Sequence, residues 1–254
     1  MKPYYIIHRD DAESKEIAKI ITERLGADSL NEYQPEVVFV VGGDGTFLTA
    51  VHRYLDILDK VGFVAIHTGT LGFFTDYQAE EVAECLHDYQ HRQPLIREAK
   101  LLKITVSDQV YYAVNELRIE NVHRTQMIDV FIDDTYFETF RGTGICVATQ
   151  LGSTAYNRSL GGSIIVDGLE LLQLSEIAGI HHKAFHSLGS SLILKETSKI
   201  TLKGYDYEQA VMCYDHKTMN LHDQLTIECS LTAKAIRFFH YRDVSYLKRL
   251  NSLF

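Results

Sequence analysis

The run Val37-Val38-Phe39-Val40-Val41 leads directly into Gly42-Gly43-Asp44-Gly45-Thr46. Five apolar, mostly β-branched residues read as a strand buried on both faces. Three glycines and one carboxylate follow at its C-terminal end, where open α/β sheets bind ligands. Glycines let the backbone turn sharply and approach a phosphate closely. An acid set among phosphate-cradling amides is placed to take a proton from an attacking hydroxyl. The combination points to phosphoryl transfer to an alcohol. A plainer reading makes Asp44 the cap of a helix starting near Phe47. Thr46 serves equally well as that cap, which frees Asp44 for chemistry.

Two further stretches carry polar groups suited to a nucleotide. Asn115-Glu116 closes a strand read over Tyr111–Val114. Asn donates and accepts while Glu only accepts, so the pair suits hydroxyls and a base edge; a simple strand-end turn is the alternative. Arg141-Gly142-Thr143-Gly144 and Thr149-Gln150-Leu151-Gly152-Ser153-Thr154-Ala155-Tyr156-Asn157-Arg158-Ser159-Leu160-Gly161-Gly162 read either as surface turns or as a nucleotide surface. In the second reading Tyr156 supplies a flat face for adenine and Asn157 a bidentate partner for its edge.

These segments need elements to hold them. Tyr4 to Ile7 reads as a strand, and Ile17, Ile20, Ile21 and Leu25 follow helical spacing up to Gly26. Phe47, Val51, Tyr54, Leu55 and Leu58 make a second stripe, Phe63–Ile66 a third strand, and Ala79 to Tyr89 another helix. Strand and helix in alternation imply a parallel, Rossmann-like α/β domain over residues 1–97. After Pro94 the pattern turns β-rich, over residues 98–242. Hairpins are expected around Ser107-Asp108-Gln109 and Asp133-Asp134-Thr135, with extended segments at Leu192–Leu194, Ile200–Leu202, Leu225–Ile227 and Ala235–Phe239. One helix is expected near Leu169–Ile180. A last helix, within residues 243–254, is expected to pack back on the first domain.

Composition narrows the classes. The 254 residues are 46% hydrophobic and carry a formal net charge of −9, which argues against nucleic acid as the main partner. No apolar run approaches the ~20 residues that cross a bilayer, and the N-terminus is too soon polar for a signal peptide, so a cytoplasmic protein is expected. Cys85, Cys146, Cys213 and Cys229 are scattered without zinc spacing and read as reduced core thiols. His181, His182 and His186 prompt a metal hypothesis, but their spacing does not share one helical face and no acid or cysteine completes a set. They read as solvated or locally hydrogen-bonded histidines.

Taken together, Gly42-Gly43-Asp44-Gly45-Thr46, Leu71-Gly72-Phe73, Asn115-Glu116 and Gly152-Ser153-Thr154-Ala155-Tyr156 make the chain resemble the NAD kinases, especially the short forms of Gram-positive bacteria. The first motif is shared with lipid kinases and phosphofructokinases; its conjunction with the others is the specific sign. The resemblance covers nearly the whole length. It implies an α/β first domain, a mainly-β second domain and an active site between them. It implies Asp44 as general base toward the adenosine 2′-hydroxyl of NAD, with Gly43, Gly45 and Thr46 beside it and Phe73 against the substrate. Asn115 and Glu116 would hold a ribose or adenine. Arg141, Thr154, Ala155, Tyr156, Asn157, Arg158 and Ser159 would complete the NAD site, with Ala178 and His216 at further substrate-contacting positions.

Two positions depart from the pattern. Thr143 stands where close relatives carry an acid (R-G-D-G), and Leu151 where they carry the hydroxyl of T-P-T or T-P-S. Both alter fine substrate contacts, including those from a neighbouring subunit, and neither removes the base. The implied substrates are NAD and ATP, with Mg²⁺ bound through the donor phosphates; polyphosphate offers the same terminal chemistry as a donor. A homotetramer is implied by resemblance alone. Two competitors share parts of the sequence. A lipid kinase is disfavoured by the lack of a basic amphipathic face for membrane docking. A binding protein that has lost its activity is disfavoured by the retention of Asp44, Asn115 and Glu116.

Overall fold

In the computed structural model the described residues are 2–69, 72–181, 186–223, 225–243 and 245–251. The chain forms two compact units, Met1–Ala99 with Lys234–Phe254, and Lys100–Ala233. The first is α/β and the second mainly β.

The first unit begins with β1 (Tyr4–His8) and α1 (Ala12–Leu25), the latter opened by Asp11, whose carboxylate accepts the Ser14 N–H at 3.0 Å. β2 (Val37–Val41) is buried at every position, as its uniform apolar run requires. α2 (Asp44–Arg53) follows, then β3 (Gly62–His67), the short β4 (Tyr77–Gln78) and α3 (Val82–His91). β1, β2, β3 and β4 pair in parallel in that order. The helix predicted through Leu58 breaks at Tyr54 into a 3₁₀ turn, Leu55–Ile57. Ile17, Ile21, Leu25, Val82 and Leu86 cover Phe39, Val41, Val64 and Ile66, so the C-terminal end of β2 is fixed by packing along its length.

The second unit is a pair of antiparallel sheets enclosing one core. β5 (Leu95–Val106) and β6 (Gln109–Ala113) form a hairpin. β7 (Glu116–Glu120), β8 (Gln126–Ile132), β9 (Thr135–Gly142) and β10 (Gly144–Ala148) follow. After a 3₁₀ turn over Leu151–Thr154 and the single turn α4 (Tyr156–Ser159) come β11 (Leu172–Ile177), β12 (Leu192–Leu194), β13 (Lys199–Gly204), β14 (Val211–Tyr214) and β15 (Lys217–Asn220). β16 (Thr226–His240) is one continuous strand where two extended segments were expected. Its last residues pair in parallel with β3, Phe238 opposite Phe63. α5 (Tyr246–Asn251) follows and belongs, like the end of β16, to the first unit. One sheet runs β12-β11-β10-β7-β14-β15. Leu117, Ile119, Ile145, Val147, Leu172 and Leu174 of that sheet meet Leu102, Ile104, Ile128, Val130, Ile200 and Leu202 in the core.

Both predicted hairpins form with turns one residue shorter than expected. Val106 pairs with Gln109 and Ile132 with Thr135, leaving two-residue turns. Asp133 and Asp134 both have positive φ, as a type I′ turn requires. The helix expected near Leu169–Ile180 is instead the strand β11. Its Leu/Glu/Gln content suits a helix, but sheet pairing on both edges overrides that preference. Gln173 and Ser175 point away from the core yet stay buried, because the 157–163 segment covers them: Gln173 binds the Ser163 backbone at 2.7 and 2.9 Å, and Ser175 donates to Asn157 Oδ1 at 2.6 Å. That cover erases the alternation that marks a strand. All four cysteines are buried thiols. Among the described residues no helix is long and apolar enough to cross a membrane.

Candidate active site

In the first unit the glycine turn ends β2 and starts α2 at Asp44, three residues earlier than the sequence suggests. Gly43 is the N-cap, in extended conformation, and its carbonyl accepts the N–H groups of Thr46 and Phe47 at 3.0 and 3.2 Å. Neither Asp44 nor Thr46 caps the helix with its side chain, so both capping readings are corrected. The Asp44 carboxylate is used elsewhere: Oδ2 accepts the Phe73 N–H at 3.1 Å and Oδ1 the Phe74 N–H at 3.2 Å. Gly72 is required by this arrangement, since a Cβ there would lie 2.5 Å from Asp44 Oδ1. Phe74 anchors the far side of the turn, its ring stacked 4.7 Å from that of Phe47. Gly43 and Gly45 face open space: a methyl group added at either would meet nothing among the described residues within 4 Å. Gly43, Asp44, Gly45, Thr46 and Phe73 are thus brought together; Leu71 of the second motif lies outside the described residues.

In the second unit the site is built on the outer face of the six-stranded sheet. Alternation along β7 sends Leu117 and Ile119 into the core and places Glu116, Arg118 and Glu120 on the opposite face. The 151–160 segment lies over that face, with Tyr156 and Leu160 against Cys146 and Ala148 of β10. The Tyr156 hydroxyl donates to Glu120 Oε1 at 2.8 Å, and the Arg118 guanidinium sits 4.0 Å from its ring centroid. One face of the ring expected to meet adenine is therefore occupied by Arg118.

Asn115 and Glu116 are held by backbone bonds on every side. The Asn115 carbonyl accepts the Thr149 N–H at 2.8 Å, and a Cβ at Gly152 would overlap that carbonyl. The Asp215 carboxylate accepts the N–H groups of Val114 and Asn115, each at 2.8 Å. The side chains are buried, and Asn115 Oδ1 and Glu116 Oε2 have no partner among the described residues. Buried polar atoms are nearly always paired, and these two oxygens on consecutive residues are not. Asn157 Nδ2 is a third such atom. Burial, then the nearby Asp215 charge, pushes the Glu116 carboxyl up to about 7.

A raised carboxyl of this kind costs stability when it ionises. The cost is absent below the unfolded value near 4.5, grows as pH rises through about 7, and is complete above it. Glu116→Gln is therefore expected to gain in melting temperature relative to wild type as pH is raised from about 5 to 8, by the equivalent of roughly 2–3 kcal/mol. Paired thermal melts at the two pH values check it; a constant difference contradicts it.

The remaining predicted residues fall into a second group. Ile180 N–H donates to the Arg141 carbonyl at 2.8 Å and Thr143 N–H to the Ile177 carbonyl at 3.0 Å, so Arg141, Thr143 and Ala178 adjoin. Ala178 has φ of 48°. This group lies level with Gly144, whereas Glu116 pairs with Ala148. The two groups therefore stand at opposite ends of β10, about 13 Å apart at the usual strand rise. Leu151 is buried, with its carbonyl accepting the Thr154 hydroxyl at 3.2 Å. Ala155 precedes α4, and Arg158 and Ser159 lie on it, Ser159 exposed. His216 is exposed on the turn joining β14 and β15, beside Asp215. His181 and His186 have rings 5.6 Å apart, His182 lies outside the described residues, and no group of three metal-ligating side chains occurs among those described.

Sequence reading missed Asp215, Arg118 and Glu120. The period-two pattern Glu116-Leu117-Arg118-Ile119-Glu120 carries a signal for the last two. Asp215 has none, because its partners are backbone amides about a hundred residues away in the chain.

Comparison with known proteins settles the family. Residues 8–93 match the model of the ATP-NAD kinase N-terminal domain, and residues 108–240 that of the ATP-NAD kinase C-terminal domain. The chain belongs to the NAD kinase family. It is 32% identical to the NAD kinase of Lactobacillus gasseri over 98% of this chain and 96% of the relative. It is 37% identical to NAD kinase 1 of Bacillus subtilis over 89% and 87%. The resemblance to the short Gram-positive NAD kinases is thereby confirmed, and the function is that of an NAD kinase, a phosphotransferase acting on an alcohol. The NAD kinase fold is also seen in yeast NADH kinase complexed with NADH, at a TM-score of 0.86 and 19% identity over 100% of this chain and 87% of that one. An NAD kinase from Archaeoglobus fulgidus in complex with ATP matches at 0.76 and 22%, over 98% and 96%.

Proposed function

We propose that Asp44 is the general base in ATP-dependent phosphorylation of the adenosine 2′-hydroxyl of NAD, giving NADP. The carrying observation is that the Asp44 carboxylate opens α2 without capping it, and is oriented instead by the Phe73 and Phe74 amides. The hydroxyl oxygen bonds to the terminal phosphorus of ATP as the bond to the bridging oxygen breaks. ADP leaves, and the hydroxyl proton passes to Asp44. Little covalent chemistry is asked of the protein in such a transfer; alignment and charge neutralisation do most of it. The amides of the Gly43–Gly45 turn, at a helix N-terminus and open to approach, suit the donor phosphates. Mg²⁺ carried on those phosphates, the usual way this ion is held, would supply charge neutralisation there.

Asn115 and Glu116 receive hydroxyl and base-edge groups of NAD, which their buried, unpartnered oxygens support. Tyr156, Asn157, Thr154, Ala155, Arg158, Ser159 and His216 line the same substrate, and Arg141, Thr143 and Ala178 its far end. Phe73 touches the substrate beside Asp44. Thr143 and Leu151 adjust contacts without entering the proton path. The enzyme works in the cytoplasm as a homotetramer.

Incubating the purified chain with NAD, Mg²⁺ and either ATP or polyphosphate tests this, with product read by an NADP-specific dehydrogenase. NADP formed with ATP supports the reading; NAD binding without product from either donor overturns it.

A further inference from the structure

The turn that orients Asp44 is itself held from the C-terminal helix. Arg249 is buried, and its Nη1 donates to the Phe73 carbonyl at 3.1 Å. Its Nη2 pairs with Asp76 Oδ1, and His240 Nδ1 donates to Asp76 Oδ2 at 2.5 Å. Tyr246, one turn earlier on the same face of α5, sets its ring edge-on to that of Phe73, 5.3 Å away. Phe73 thus gives its N–H to Asp44 and its carbonyl to Arg249. A peptide plane is rigid, so fixing the carbonyl on one side of Phe73 limits how the turn carrying the two donated N–H groups can rotate. A guanidinium presents a planar fork of donors, which lets one side chain bridge a backbone carbonyl and a carboxylate.

We infer that Arg249 is a positioning residue for phosphoryl transfer: it locks the Gly72–Phe74 turn and thereby the direction of the Asp44 carboxylate. This rests on Asp44 being the base. The buried guanidinium acts through the Phe73 carbonyl and the Asp76 carboxylate, so its loss is expected to fall mainly on the chemical step.

The test measures kcat, KM for NAD and melting temperature for Arg249→Ala and Arg249→Lys. A misplacement of about 1 Å costs up to about 100-fold, so Arg249→Ala is expected to lose about 10- to 100-fold in kcat with KM for NAD little changed. Added guanidinium ion is expected to restore part of the lost rate, which a general loss of folding would not permit. Arg249→Lys keeps a charge for Asp76 but lacks the planar fork that spans both acceptors. It is expected to melt near wild type with reduced kcat, and it decides the matter if the Ala variant does not fold. Wild-type kcat in Arg249→Lys, or a rise in KM with kcat retained, overturns the inference. Asp44→Asn in parallel separates the two claims. If it keeps the wild-type rate, the base assignment falls; if it alone loses rate, only the role of Arg249 falls.

Discussion

Asp44→Asn is expected to lower kcat by about 10²–10⁴-fold, the usual worth of a positioned general base. The substitution keeps size and shape, so the loss reports the proton acceptor rather than packing. One local cost comes with it. Both carboxylate oxygens accept backbone N–H groups, from Phe73 and Phe74. An amide has only one oxygen, so its NH₂ would face one of these donors. The turn therefore loses one hydrogen bond, worth about 1 kcal/mol in stability. NAD affinity is expected to persist, because the groups proposed to hold NAD, Asn115 and Glu116 foremost, are fixed by Asp215, Thr149 and Gly152 without help from Asp44. Calorimetric titration of NAD into the variant checks that half of the prediction. A loss of binding that parallels the loss of rate would make Asp44 a binding residue.

Gly152→Ala is expected to do the reverse, weakening NAD binding by about tenfold or more and costing about 1–3 kcal/mol of stability, as forced overpacking does. The methyl group would overlap the carbonyl of Asn115, a backbone atom that cannot rotate away. That carbonyl also accepts from Thr149, and the Asn115 N–H is tied to Asp215. Displacing it therefore shifts Asn115 and Glu116 together, along with their two unpartnered oxygens. Melting temperature and NAD dissociation constant measure the effect; wild-type values for both would mean that the 149–152 turn yields freely.

Much of the fold was legible because its signals are local. The apolar run Val37–Val41 names a strand buried on both faces, and its bounds match the structure. Gly26 ends α1 as read, with φ of 82°. Failures arose where a distant partner decides. Asp44 and Thr46 were both reasonable caps, but the Asp44 partners lie 29 and 30 residues on, at Phe73 and Phe74. β11 reads as a helix because Gln173 and Ser175 are buried under a loop rather than exposed to water. Two-residue turns at Ser107-Asp108 and Asp133-Asp134 depend on positive φ at non-glycine residues, which composition does not announce. In the site, residue types flagged Asp44, Asn115 and Glu116. Asp215 and Arg249, which hold the neighbouring backbone, carry no motif of their own.

The most direct test of the central claim is the rate of NADP formation from NAD, ATP and Mg²⁺ by wild type and Asp44→Asn, at saturating NAD and with folding verified. Wild type is expected to turn over steadily and the variant to lose nearly all of that rate. Turnover by Asp44→Asn at the wild-type rate would contradict it and remove Asp44 from the proton path.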